Sequence, residues 1–417
     1  MKKKIILLTS IFLMLSMFLA SCSSGAEYDG GATKGEGYYG GAPVAPGDVS
    51  DQTGQQDQNK DVAPGQLTAC AYNDNDNYSY WQGLISSNQE GKGQFALFND
   101  QSSFRTENRI RIKVPTNMDV LVHLVNDNQV VLFTAVPDAS GVAYLYPSTL
   151  QESYNICLEY VKVGEEEVTK QYEVVSEDTE YVIDATYNKQ DLIQLMFVID
   201  TTGSMGDEIR YLKSEIIDII AQVKNEYSNS MIELAIMLYR DVRDEYVTKY
   251  SDFSTDISSQ QSFLAKQNAN GGGDFPEAVD IALDEAANKQ WNSNAKTKIL
   301  VHVADAPAHE ENVEKWSHAT NKLAKMGVRV ITVASSGIDT NTEYLFRCQS
   351  IITNGTYVYL TDDSGIGGSH LEATVEKRPV VEYLNSCLVR LIKGYHTGVF
   401  DEPIYYGQET GNNNTSK

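Results

Sequence analysis

Basic side chains are scarce in this sequence. Only 33 Lys and Arg stand against 57 Asp and Glu, a formal charge of −24, a balance that gives no electrostatic footprint for duplex DNA or RNA and argues against nucleic acid as a partner. Catalytic signatures are missing too. There is no His-Glu-x-x-His, and Thr202-Gly203-Ser204-Met205-Gly206 has threonine where a nucleophile elbow needs its first glycine. The Gly-rich stretch 361–370 carries neither the lysine of a phosphate loop nor the spacing of a dinucleotide fingerprint. A metal-dependent hydrolase is therefore the weakest of the available readings. Long apolar runs are confined to residues 5–20, interrupted by Thr9, Ser10 and Ser16, and that is short for a membrane span of about 20 residues.

That one run follows Lys2, Lys3 and Lys4, which makes residues 1–21 a secretory leader. It ends in Leu19-Ala20-Ser21-Cys22. This quartet resembles a bacterial lipobox, which implies that the mature chain starts at a lipidated Cys22 and is held at a membrane of the bacterial cell envelope, surface exposed. The acyl chains must do the holding, because an acidic body is repelled by anionic lipid. Residues 22–66 are rich in Gly, Ala, Pro, Asp and Gln and read as a flexible tether with a reach of about 35–40 Å.

What remains has cores to bury: 41% of the chain is hydrophobic and it contains 25 tyrosines. Over 67–190, short alternating apolar runs such as Ile110-Arg111-Ile112-Lys113-Val114 and Val120-Leu121-Val122-His123-Leu124 are separated by turn residues, predicting a small Ig-like β-sandwich. Asp74 and Asp76 have the first spacing of a calcium loop, but Tyr78 stands where a third oxygen ligand belongs, so the stretch reads as a capped turn. Over 191–397 the pattern changes. Buried strands at 192–199, 232–239, 298–304, 328–334 and 355–360 alternate with helices at 209–223, 276–291, 312–325, 343–352 and 380–393, predicting an α/β doubly wound, mostly parallel sheet with its crevice at the carboxyl ends of the strands. Residues 398–417 form a polar tail.

The first of these strands ends in Asp200-Thr201-Thr202-Gly203-Ser204-Met205. Oxygen-bearing side chains at alternate positions suit a hard cation; alternatively, Asp200 and Ser204 cap the following helix. Asp200, Thr202 and Ser204 resemble the Asp-x-Ser-x-Ser signature of the metal-ion-dependent adhesion site in von Willebrand factor A domains, with threonine for the first serine. The resemblance covers about half the chain. It implies that Asp305, at the end of a later strand, completes the site, that Mg²⁺ or Mn²⁺ is the cofactor, and that a protein or glycan ligand offers a carboxylate to the ion. Where many such domains carry a threonine ligand, this sequence has Gly273, so Asp274 or a water must supply that contact. Arg240 and Asp241 either brace the site or line its rim. His302 and His309 read as structural. The rival to ligand binding is an envelope assembly or chaperone-like scaffold using the same fold.

Beyond Cys22, the cysteines are Cys70, Cys157, Cys348 and Cys387. In an exported chain oxidation is allowed, and Cys348 with Cys387, on the last two expected helices, is the one pairing considered; burial of each explains them as well.

Overall fold

A computed structural model of the protein describes residues 62–88, 91–116 and 118–408. The leader, Cys22, most of the tether and the end of the C-terminal tail lie outside the described residues.

The architecture is built around one strand. Gln190–Asp200 (β2, numbering here the strands of the large sheet, with β1 at Thr68–Tyr72) is buried from Leu192 onwards. Its neighbours, Met231–Tyr239 (β3) and Ala295–Ala304 (β5), both run parallel to it. Thr248–Ser254 (β4) closes one edge antiparallel to β3. On the other side follow Arg329–Ala334 (β6), Thr356–Leu360 (β7), β1 and the short Glu382–Tyr383 (β8), so the order is β4-β3-β2-β5-β6-β7-β1-β8. Ile193, Leu195, Phe197 and Ile199 of β2 meet one apolar layer and Met196 and Val198 the other. Both faces are covered, which is why the strand shows no polar alternation.

The helices divide accordingly. Ile209–Glu226 (α3) and Ile257–Ala265 (α4) join Leu384–Thr397 (α8) in the layer beneath Ile193 and Phe197; Val279–Ala287 (α5), Val313–Lys325 (α6) and Thr340–Ile352 (α7) cover the opposite face. The α3 contact stripe, Leu212, Ile216, Ile220 and Val223, keeps the spacing of one helical face. The expected doubly wound sheet is thus the observed one, with the differences at its edges. β4 and α4 lie in a stretch too polar to signal either element, and residues 382–383, expected to be helical, are an extended edge strand.

The stretch before residue 110 departs from the expectation of a β-domain starting at 67. β1 pairs antiparallel with β7, and the helices Tyr78–Ile85 (α1) and Ala96–Gln101 (α2) pack on α7. Trp81, fully buried, stacks on Tyr344 at 6.0 Å and donates its indole N–H to Thr106 Oγ1 at 3.1 Å. A five-residue alternating strand has the same pattern in either sheet, so periodicity alone could not assign it. The sandwich proper has seven strands between 110 and 180, in a three-stranded and a four-stranded sheet around Ile112, Val122, Ile156 and Leu158.

Two readings of individual residues are settled. Asp74 accepts two hydrogen bonds from Arg347, at 3.1 and 2.6 Å, so its turn anchors the chain and leaves its carboxylate engaged. The four described cysteines are free and buried; Cys348 packs on one face of the large sheet and Cys387 on the other, so the considered disulfide does not form.

Candidate metal centre

At the carboxyl end of β2 the chain leaves the sheet through a 3-10 turn, Gly203–Asp207, into α3. Asp200 is fully buried there. Its Oδ1 accepts the amide of Thr202 at 2.9 Å and the Thr202 hydroxyl at 2.6 Å, and the hydroxyls of Thr202 and Ser204 lie 3.2 Å apart. No side chain caps the 3-10 turn or α3, so Asp200 and Ser204 do not act as helix caps. Asp305, just beyond β5 and nearly fully buried, reaches the same end of the sheet from the neighbouring strand.

The electrostatics follow from that burial. Asp200 is pushed above the usual carboxylate range, first by burial and then by the nearby Asp305. Asp305 is raised as well, again mainly by burial, with the Ser204 hydroxyl easing its charge. Asp200 Oδ2 and Asp305 Oδ1 are buried without a hydrogen-bond partner among the described residues. Buried polar oxygens are ordinarily satisfied, and a charged one left bare is costly.

In the loop after α4 the buried acidic side chain is Glu277 and not the expected candidate Asp274. Gly271 and Gly272 take positive φ, +81° and +76°; the Gly203 amide donates to Gly271 O at 3.1 Å, and Asp244 Oδ2 accepts the Gly272 amide at 2.8 Å. Asp274 is exposed at the bend, whereas Glu277, three residues on, is buried. A Cβ on Gly272 would stand 3.0 Å from Glu277 Oε1 and 3.4 Å from Thr202 Cβ, so the glycine is what lets Glu277 approach the hydroxyl pair. Burial, then repulsion from Asp200, Asp241, Asp244 and Asp305, pushes Glu277 up to about 9, and its Oε2 also has no partner among the described residues. Sequence reasoning missed Glu277 by stopping at the last loop residue next to the glycines; the following Pro276-Glu277 pair was the available signal.

Around this centre the remaining residues brace or rim it. Arg240 donates to Thr201 O at 3.1 Å and Asn268 O at 3.0 Å, fixing the backbone next to Asp200 and the start of the glycine loop. Asp241 does not pair with Arg240; it meets His309 at 3.0 Å, and that contact raises the imidazole above its ordinary value. His302 is a core residue, between the Tyr239 hydroxyl at 3.1 Å and Gln349 Oε1 at 3.0 Å. The Gly-rich loop at 361–370 is fastened over the same end of the sheet by His370, whose ring nitrogens lie 2.8 Å from Glu208 Oε1 and 2.8 Å from Asp362 Oδ1.

Among the described residues no three His, Cys, Asp or Glu side chains form a metal-binding group. The candidate set is instead two carboxylates and two hydroxyls, all oxygen. It fits a hard cation: two bare buried carboxylate oxygens lack a compensating positive charge, the candidate donors are all oxygen, and Mg²⁺ keeps several waters and needs few protein ligands.

Comparison with known proteins defines the class. The von Willebrand factor A domain family matches residues 194–368, so the chain contains a von Willebrand factor A domain. Over 215 residues, 51% of this chain, it is 26% identical to the alpha-protein kinase vwkA of Dictyostelium discoideum. Over 192 residues, 42% of this chain, it is 27% identical to an ariadne-like RING finger protein of Acanthamoeba polyphaga mimivirus. The chain spans 34% of the first relative and 19% of the second. Among solved structures it is similar to BatB from Bacteroides thetaiotaomicron, at 15% identity and a TM-score of 0.31 over 40% of this chain and 89% of that one. An aerotolerance-related membrane protein from Bacteroides fragilis matches at 12% identity and a TM-score of 0.33, over 50% of this chain and 100% of that one.

Proposed function

We propose that this is a lipoprotein of the bacterial cell envelope whose A domain binds a protein or glycan ligand through a divalent cation. Asp200, Thr202, Ser204 and Asp305 hold Mg²⁺ or Mn²⁺, with Glu277, in preference to the exposed Asp274, as the further carboxylate on the approach. A bound ion supplies a Lewis-acidic open position that takes a ligand carboxylate. Thr202 and Ser204 orient the hydroxyls, Arg240 holds the strand end still, and His309 with Asp241 forms the rim that a partner meets. The reading is one of binding and not catalysis, because the donors are oxygens without a nucleophile and base aimed at a common point. The single observation that carries it is the pair of buried, unpartnered oxygens, Asp200 Oδ2 and Asp305 Oδ1.

Calorimetric titration of the full chain with Mg²⁺ tests it. One site per chain is expected, lost in Asp200→Ala with the circular dichroism spectrum unchanged. Equal Mg²⁺ affinity in the two proteins refutes the metal reading. Anchoring is tested separately by metabolic labelling with a fatty acid, which Cys22→Ala should abolish.

A further inference from the structure

The opposite end of the same strand carries the opposite charge. Lys296 and Lys298 stand two apart near the amino end of β5, so they share a face. They line a cleft of about 60 Å³ that also takes in Lys189, Arg329, Asp138 and Tyr395. In a chain of net charge −24, four cations at one small cleft run against the composition.

The cations are not equivalent. Lys189 is paired with Asp119 at 2.8 Å and donates to Ser293 O at 2.8 Å. Arg329 donates to Thr353 O at 3.2 Å and to Val136 O at 2.6 Å. Asp138 is occupied by its own turn and by Asn354. Lys298 is different: it is 7% exposed, and no described residue forms a hydrogen bond or ion pair with its Nζ. Most of the Lys298 side chain is withdrawn from water while its Nζ opens onto the cleft, so its charge is costly there without an anionic partner. Burial indeed pulls Lys298 down to about 7, with Lys189 and Arg329 adding repulsion and Asp119 opposing it.

We infer that the cleft at the foot of β5 is a binding site for a small oxyanion, of phosphate or sulfate size, with Lys298 as its buried anchor and Lys296, Lys189 and Arg329 supplying the surrounding positive field. A cleft of that volume has room for a group of this size. Its walls come from both layers, with Val136, Pro137 and Ala139 on the sandwich side and Lys298 and Arg329 on the sheet side, so a bound anion ties the two together. The site is separate from the proposed metal centre: Asp305 and Lys298 are seven residues apart on an extended strand, about 23 Å.

The test uses the full chain with inorganic phosphate or sulfate against sodium chloride at matched ionic strength, because matched salt removes general screening. A rise in unfolding temperature beyond that in chloride, with one calorimetric site per chain, is expected. Lys298→Met should fold at least as well as the native chain without anion, since it removes an unpaired buried charge, and should weaken phosphate binding about tenfold or more. Lys296→Gln, on the rim, should weaken it a few-fold. Excess chelator should change none of these values, which keeps the result distinct from that of the metal centre. Phosphate no more stabilising than chloride overturns the inference, as does equal binding by the native chain and Lys298→Met.

Discussion

Two groups of buried carboxylates in this molecule are handled in opposite ways. Asp74 and Glu343 lie in the apolar layer beside α7, and Arg347 answers both. Its guanidinium reaches Asp74 at 3.1 and 2.6 Å and Glu343 at 2.9 Å, while Glu343 also accepts the Thr374 amide at 2.7 Å. Asp200 and Asp305, at the carboxyl ends of adjacent strands, have hydroxyls and amides but no cation from the chain, and each keeps a bare oxygen. A fold that can neutralise one acidic pair internally has the means to neutralise another. The neutralised pair locks the N-terminal segment to α7 and is structural; on the proposed reading, the other pair is left for a positive charge from outside the chain.

The comparison is broken hardest at Arg347. Arg347→Ala leaves Asp74 and Glu343 buried and mutually repelling, and breaking such a network by removing one partner costs about 3–5 kcal/mol. Urea denaturation should show this as a lower midpoint. Replacing all three by uncharged residues of similar shape, Asp74→Asn with Glu343→Gln and Arg347→Met, should recover much of the loss. A triple variant as unstable as Arg347→Ala alone would mean that packing, not charge, dominates the network.

Between the two groups sits His302, bonded to Tyr239 on the strand beside Asp200 and to Gln349 on the helix of Arg347. Burial depresses its imidazole from 6.5 to about 4. The unfolded chain therefore takes up a proton near pH 6.5 that the folded chain refuses until about pH 4. Stability is full above that window and falls as the pH drops through it, by on the order of 3 kcal/mol at most. His302→Gln should flatten this part of the pH–stability curve, measured by urea midpoints between pH 7 and pH 4. An unchanged slope would show that His302 is accessible to protons in the folded state.

How much of this was legible in the sequence depends on where the signal lies. The doubly wound sheet was, because a strand buried on both faces and helices with one apolar stripe leave local periodicities. Grouping Asp200, Thr202, Ser204 and Asp305 into one candidate site came from the resemblance to the von Willebrand A signature, while the strand ends carrying Asp200 and Asp305 were marked by the same pattern. Residues 67–106 were not, since whether Thr68–Tyr72 joins one sheet or another is decided by Trp81 and Tyr344 meeting across more than 260 residues. Glu277 was missed for a similar reason. Its approach depends on two positive-φ glycines that turn Asp274 out and the next acidic residue in, a backbone path that composition does not reveal. In the Arg347 network the Glu343–Arg347 spacing of four on α7 is local, but the pairing with Asp74 joins residues 273 apart and left no local trace.

The smallest expected change carries the sharpest sign. If the Asp200 and Asp305 pair is an unneutralised charge cluster, removing one charge must stabilise the protein when no divalent ion is present. Asp200→Asn keeps an oxygen to accept the Thr202 amide and hydroxyl, so the local turn is retained. Because the folded state raises the Asp200 pKa by burial and by Asp305, the native carboxylate contributes its penalty at pH values above that raised pKa and loses it as the pH falls and the group protonates. At pH 8 in chelator, Asp200→Asn should therefore be more stable than the native chain by about 1–2 kcal/mol. At pH 5 the advantage should shrink, since the native residue is then largely neutral. In excess Mg²⁺ the order should reverse: the native chain gains stability with ion concentration and the variant does not. A variant less stable than the native chain in chelator at pH 8 would place the two carboxylates in the same class as Asp74 and Glu343, internally satisfied groups whose role is the fold.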